Sequence, residues 1–246
     1  MANEKSALVI ADIGGYTRFM KIHRWNLAHA QLAVAGLLEA VIDQAGPLEL
    51  VKLEGDAAFF WLKDSRKSTW DELANIFTAM RNAFVAKRDT LVSETSCSCD
   101  ACQQVDQLRL KFVAHEGEVA EQRVKRFVEL AGVDVILVHR MLKNDVPVPE
   151  YVLFTEAVHS ALGDEVKARA QKLDHDFEGL GKTPTYFVDA LSLREHTEQS
   201  IIKVKPGSAP FFKLWAARLR QVFASLPYVL GFKSHTTKTF GGGVGP

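Results

Sequence analysis

At 246 residues, with 47% hydrophobic and 24% charged side chains and a formal net charge of zero, the chain can bury one sizeable core. Its composition excludes disordered and collagen-like polymers. No apolar run reaches the roughly 18 residues that cross a bilayer. The opening MANEKSALVIADIGG lacks the apolar core and cleavage site of a secretory signal, so a cytoplasmic protein is expected. Three cysteines, an odd number, exclude a disulfide framework for a domain of this size.

The first predicted element is a strand over Ala7–Ala11 that stops at Asp12 and meets Gly14 and Gly15, the punctuation of a strand-to-helix turn. Apolar residues then recur at helical spacing from Thr17 to about Gln44 and predict one long amphipathic helix, closed by Gly46-Pro47. Two short strands, Leu48–Leu53 and Ala57–Leu62, flank Glu54, Gly55 and Asp56 as a tight hairpin. A second helix is predicted from about Thr69 to Val85, followed by a cysteine loop at about 93–105. Next comes an alternating strand, Leu108–His115, with Arg123–Leu130 as its partner across a loop at Glu116 to Glu121. Val133–Leu142 reads as a helix, Val152–Phe154 as a strand and Thr155–Leu162 as a helix. A polar strand near Ala168–Phe177 and a last strand at Thr185–Val188 follow. The order is that of an α+β, ferredoxin-like βαββαβ core with additions. A domain over 1–195 and a C-terminal extension over 196–246 are expected. The extension carries a strongly apolar helical face between Pro210 and Phe232. From Ile201 onward it has seven Lys or Arg and no acid, leaving 23 basic against 30 acidic side chains before it. Such a segment suits an anionic surface, a partner protein or the body of the chain itself.

Asp12, at the end of a buried strand before Ile13, Gly14, Gly15, Tyr16 and Thr17, places a carboxylate beside a row of backbone amides where a metal-bound phosphate can sit. Asp56 in the hairpin turn would lie next to it if the two strands are neighbours. Two converging carboxylates repel unless a cation stands between them. Each also has a plain structural reading, Asp12 as a helix cap and Asp56 as a turn residue.

The ordered set of segments resembles the catalytic domain of class III adenylyl and guanylyl cyclases. ALVIADIGGYTRFM and VKLEGDAAFF are similar to the family's two metal motifs, and LKFVAHEGEV to its strand-and-hairpin segment. VDVILVHRML resembles the helix that carries its transition-state residues, while YVLFTEAVHSAL and EGLGKTPTYFV resemble its closing elements. The resemblance implies Asp12 and Asp56 as ligands of Mg²⁺ or Mn²⁺, and the amides of Ile13 to Thr17 as the triphosphate loop. It implies Lys52 as the residue that helps select the purine and tilts it toward adenine, with Glu129 as its acidic counterpart. Arg140 becomes the residue that stabilises charge on the α-phosphate. It also implies a head-to-tail homodimer with Asp12 and Asp56 from one subunit and Lys52, Glu129 and Arg140 from the other.

Two positions depart from the pattern. Ile136 stands where the family has a ribose-positioning asparagine, and Leu180 replaces a lysine, with Lys182 two residues on as a substitute phosphate ligand. The expected function is metal-dependent binding of a nucleoside triphosphate, with cyclisation of ATP to cAMP weakened or lost. The alternative is a non-catalytic nucleotide sensor or dimerisation module whose C-terminal helix docks on a partner or a membrane. Cys97, Cys99 and Cys102 can hold Zn²⁺ with a fourth ligand from His115, Asp100, water or another chain. The alternatives are a redox-sensitive loop or plain reduced thiols. No HExxH, GxSxG, P-loop or dinucleotide fingerprint occurs, and no nucleic-acid partner is expected.

Overall fold

The structure, a computed structural model, describes residues 4–22, 27–63, 65, 70–94 and 104–193. The chain divides into two units, Met1–Ile201 and Ile202–Pro246, and every described residue belongs to the first. The cysteine cluster and the C-terminal extension lie outside the described residues.

Strand β1 (Glu4–Gly14) runs through the middle of the sheet, and its residues Ala7 to Ala11 have no solvent exposure. Its run of apolar residues is continuous because both faces are covered. Ala7, Val9, Ala11 and Ile13 point to one face, which α2 (Leu27–Ile42) and α3 (Trp70–Glu94) cover with Val34, Leu37, Leu73, Phe77 and Met80. The ring of Phe77 stacks on Phe112 of the sheet at 5.1 Å. Leu8 and Ile10 point to the other face, where Val138 and Met141 from the segment around α4 (Val133–Arg140) close over them.

Around β1 the sheet grows by antiparallel pairing with β3 (Ala57–Leu62) and β4 (Arg109–Val124). Beyond β3, β2 (Glu49–Glu54) closes one end. On the other side β6 (Tyr151–Thr155) joins β4 in parallel and leads directly into the short helix α5 (Glu156–Ala161). β10 (Thr185–Asp189) and the two-residue β7 (Gln171–Lys172) extend that side, so the full path is β2-β3-β1-β4-β6-β10-β7. β5 (Phe127–Ala131) folds back on the outer half of β4, and β8 (His175–Phe177) pairs with β9 (Gly181–Thr183) as a separate ribbon. The result is a mixed α+β domain with a central sheet.

Four sequence expectations change. The predicted long helix from Thr17 to Gln44 is described as α1 (Tyr16–Ile22) and α2, with 23–26 outside the described residues. The predicted loop at Glu116 to Glu121 is strand. Glu116, Gly117, Glu118 and Val119 pair with Ala7, Ser6, Lys5 and Glu4, and the hairpin turns at Lys125, whose φ is 56°. Helix α3 continues to Glu94; its last turns are largely solvated, and the apolar periodicity that predicts a helix registers only a buried face. The predicted polar strand near 168–177 contains the end of a helix, α6 (Asp164–Arg169), followed by β7 and β8. Asp164 and Glu165 in the first turn of α6 and Lys167 and Arg169 in its last turn match the helix dipole.

Candidate functional site

Period-two alternation puts Asp12 on the face of Leu8 and Ile10, where the sheet looks toward α4. Its partners across the ladders are Ala57 on β3 and Lys111 on β4. Because Asp12 is paired with the first residue of β3, the β2–β3 turn lies beside the end of β1. There the Ile13 N–H donates to the Asp56 carbonyl at 3.1 Å. Gly55 in this turn and Gly15 after β1 have φ of 71° and 89°, a region that disfavours side chains. The turn thus brings the Asp56 carboxyl within electrostatic and hydrogen-bonding reach of Asp12. Burial, and then the negative charge of Asp12, push the Asp56 carboxyl up to about 6.

Lys111 supplies the compensating charge. Its Nζ lies 2.8 Å from Asp12 Oδ2, and the two side chains are 22% and 14% exposed. Burial pulls the lysine down, but the hydrogen bond and charge of Asp12 outweigh it and hold the ammonium above its ordinary value. Sequence reasoning missed this residue. The available signal was a lysine flanked by the apolar Leu110 and Phe112 in an alternating strand.

Lys52 and Glu54 project on the same face as Asp12, since their ladder partners Phe59 and Ala57 do. Lys52 Nζ sits 2.7 Å from Glu54 Oε1, and His139 Nε2 approaches the same carboxylate at 3.3 Å. Burial pushes Glu54 up, but Lys52 and His139 prevail and hold it below the ordinary carboxylate range. The acid that meets Lys52 is thus two residues along its own strand. Glu129 is exposed on β5 opposite Gln122. Arg140 Nη1 lies 2.6 Å from Glu178 Oε2 on the turn between β8 and β9. Ile136 is 52% exposed on α4, and Lys182 is exposed on β9. Leu180 packs against the apolar cluster of this face.

Helix α4 is fixed to the sheet by the motif His115-x-Gly117. His115 Nε2 faces Asp134 Oδ1 at 3.0 Å and its Nδ1 faces the Thr155 hydroxyl at 2.8 Å. The Glu118 N–H donates to Asp134 Oδ2 at 2.6 Å. A Cβ on Gly117 would lie 2.3 Å from Asp134 Cγ, so only glycine admits this approach. Both nitrogens of His115 are engaged within the domain, by Thr155 and Asp134.

Among the described residues no group of three or more His, Cys, Asp or Glu gathers around one point. Two carboxylates nonetheless suit a hard divalent ion that takes its remaining ligands from carbonyls, water and phosphate. Burial and, after it, the neighbouring Asp12 raise Asp56, and beside the two carboxylates Lys111 supplies only one opposite charge.

The fold is that of nucleotidyl cyclase catalytic domains. The adenylyl cyclase CyaB from P. aeruginosa superposes with a TM-score of 0.53 at 14% identity, covering 76% of this chain and 94% of that one. The guanylyl cyclase Cya2 gives 0.54 at 13%, again over 76% and 94%. In sequence, residues 34–151 match the family described as a protein of unknown function, DUF2652. The chain is 47% identical over 200 residues to the "Uncharacterized protein Rv2561/Rv2562" of Mycobacterium tuberculosis strain ATCC 25618 / H37Rv. That match covers 81% of this chain and 90% of the relative. The chain belongs to the family of that mycobacterial protein.

Proposed function

We propose that the chain binds a purine nucleoside triphosphate together with Mg²⁺ or Mn²⁺, and that its ferredoxin-like core is a cytoplasmic member of the class III nucleotidyl cyclase superfamily. The observation that carries this reading is the convergence of Asp12 and Asp56 at the end of β1, with Asp56 pushed up to about 6. A divalent ion held there would neutralise the triphosphate and polarise the α-phosphate. The chain's own groups divide the remaining work. The amides of Ile13 to Thr17 would donate to phosphate oxygens, and Lys52, oriented by Glu54, would donate to the purine edge. Arg140, released from Glu178, would stabilise charge on the α-phosphate while pyrophosphate leaves, with Lys182 a further phosphate ligand. In a head-to-tail homodimer the base-reading and arginine end of one subunit faces the carboxylates of the next.

A second reading, a nucleotide sensor without turnover, draws on Ile136. Its exposed apolar side chain offers the ribose no hydrogen bond, and losing one such orienting contact costs on the order of a hundredfold in rate. One experiment separates the two. The full chain is titrated calorimetrically with ATP and with GTP in Mn²⁺, and the mixture is searched for cyclic product by mass spectrometry. Product that disappears in Asp56→Ala supports the cyclase. Binding without product supports the sensor, and no binding of either nucleotide refutes both.

A further inference from the structure

The Lys111 ammonium stands where the aspartate pair needs positive charge. The lysine is directly opposite Asp12 in the β1–β4 ladder, with Nζ 2.8 Å from Oδ2. Its chain neighbours Leu110 and Phe112 are fully buried in the core on the opposite face, so strand alternation commits the side chain to Asp12. The other cations assigned to the site are engaged elsewhere, Lys52 with Glu54 and Arg140 with Glu178.

Resting on the reading of Asp12 and Asp56 as a metal site, we propose that Lys111 is the resident counter-ion of the pair and sets its threshold for divalent cations: an ion takes Asp12 only as the ammonium leaves. The charge count supports an exchange. Two carboxylates beside one ammonium remain one positive charge short, whereas a divalent ion alone balances them. The flexible four-carbon stem of lysine lets the head swing away while the strand stays in register. In the absence of metal the ammonium keeps the carboxylates from repelling each other, so the site is assembled before the ion arrives. The lysine therefore stabilises the empty site and competes with its ligand. A charge-assisted hydrogen bond of this kind is strong enough for its loss to change a binding constant by about tenfold to a hundredfold.

The test is calorimetric titration of the full chain with Mn²⁺ alone, comparing the unaltered protein with Lys111→Met and Lys111→Arg. Lys111→Met is expected to bind Mn²⁺ at least about tenfold more tightly, and Lys111→Arg no more tightly than the unaltered chain. Equal or weaker binding by Lys111→Met overturns the proposal and leaves the metal site standing. Failure of all three chains to bind Mn²⁺ overturns the metal reading and the proposal with it. Should Lys111→Met not fold, the side-chain ¹⁵N resonance of Lys111 in the unaltered chain is followed during addition of Mg²⁺. Loss of its signature of contact with Asp12 supports displacement, and an unmoved resonance in an ion-saturated protein refutes it.

Discussion

Replacing Asp56 by asparagine should make the fold more stable at neutral pH while abolishing the divalent-ion binding proposed for it. The carboxyl rises from 3.8 to about 6 in the folded chain, through burial and the charge of Asp12. Between those values the folded state holds a proton that the unfolded state has released. Stability therefore falls as pH rises through this window and levels off above about 6. A shift of this size corresponds to at most about 3 kcal/mol, and screening of a half-exposed group reduces that to about 1–2 kcal/mol. The substituted amide would be neutral throughout and escape the loss. Urea denaturation in chelator at pH 4 and pH 7.5 should show the two chains nearly equal at the lower pH. Asp56→Asn should lead by about 1–2 kcal/mol at the higher one, a melting-temperature rise of roughly 2–8 °C. An advantage that is absent at pH 7.5, or the same at both pH values, would refute the electrostatic account.

Two further outcomes follow from the geometry around α4. Gly117 does not have a positive φ, so its replacement by Ala would ordinarily favour a strand, yet the added Cβ meets Asp134 Cγ at 2.3 Å. Gly117→Ala should cost about 2–4 kcal/mol by displacing Asp134 from His115 and Glu118. Much of that cost should vanish on an Asp134→Ala background, as a double-mutant cycle in urea would show. Glu178→Gln releases Arg140 from a partner that is 81% exposed. It should leave stability within about 0.5 kcal/mol and tighten ATP binding about two- to fivefold by calorimetry, the range expected for breaking an exposed ion pair.

The parts of the fold fixed by short-range pattern were legible in the sequence. β1 announces itself by an apolar run ended by Asp12 and two glycines, and the β2–β3 hairpin by its Gly55-Asp56 turn. The convergence of the two aspartates could be anticipated because it needs only that the two strands be neighbours. What escaped depended on register. That Lys111 faces Asp12 follows from β1 and β4 pairing so that residue numbers sum to one constant, which no local pattern encodes. Glu54 was visible as a turn residue, but its role in holding Lys52 and His139 depends on both residues of the strand facing α4. The continuation of β4 through Glu116 to Val124 was hidden by charged residues and by Gly117. These belong in a strand only because β1 lies alongside its first part and β5 alongside its second.

The position of β2 at the end of the described sheet has a consequence for solubility. A terminal strand offers a row of backbone donors and acceptors to any other extended chain, and Leu50 and Leu53 on β2 are 41% and 54% exposed. The irregular register between Leu50 and Lys52, together with the charges of Lys52 and Glu54, makes this border a poor template for intermolecular strand addition. The side chains proposed above to read the nucleotide would therefore also discourage aggregation. Neutralising both would be expected to reduce colloidal stability even in a protein that still folds.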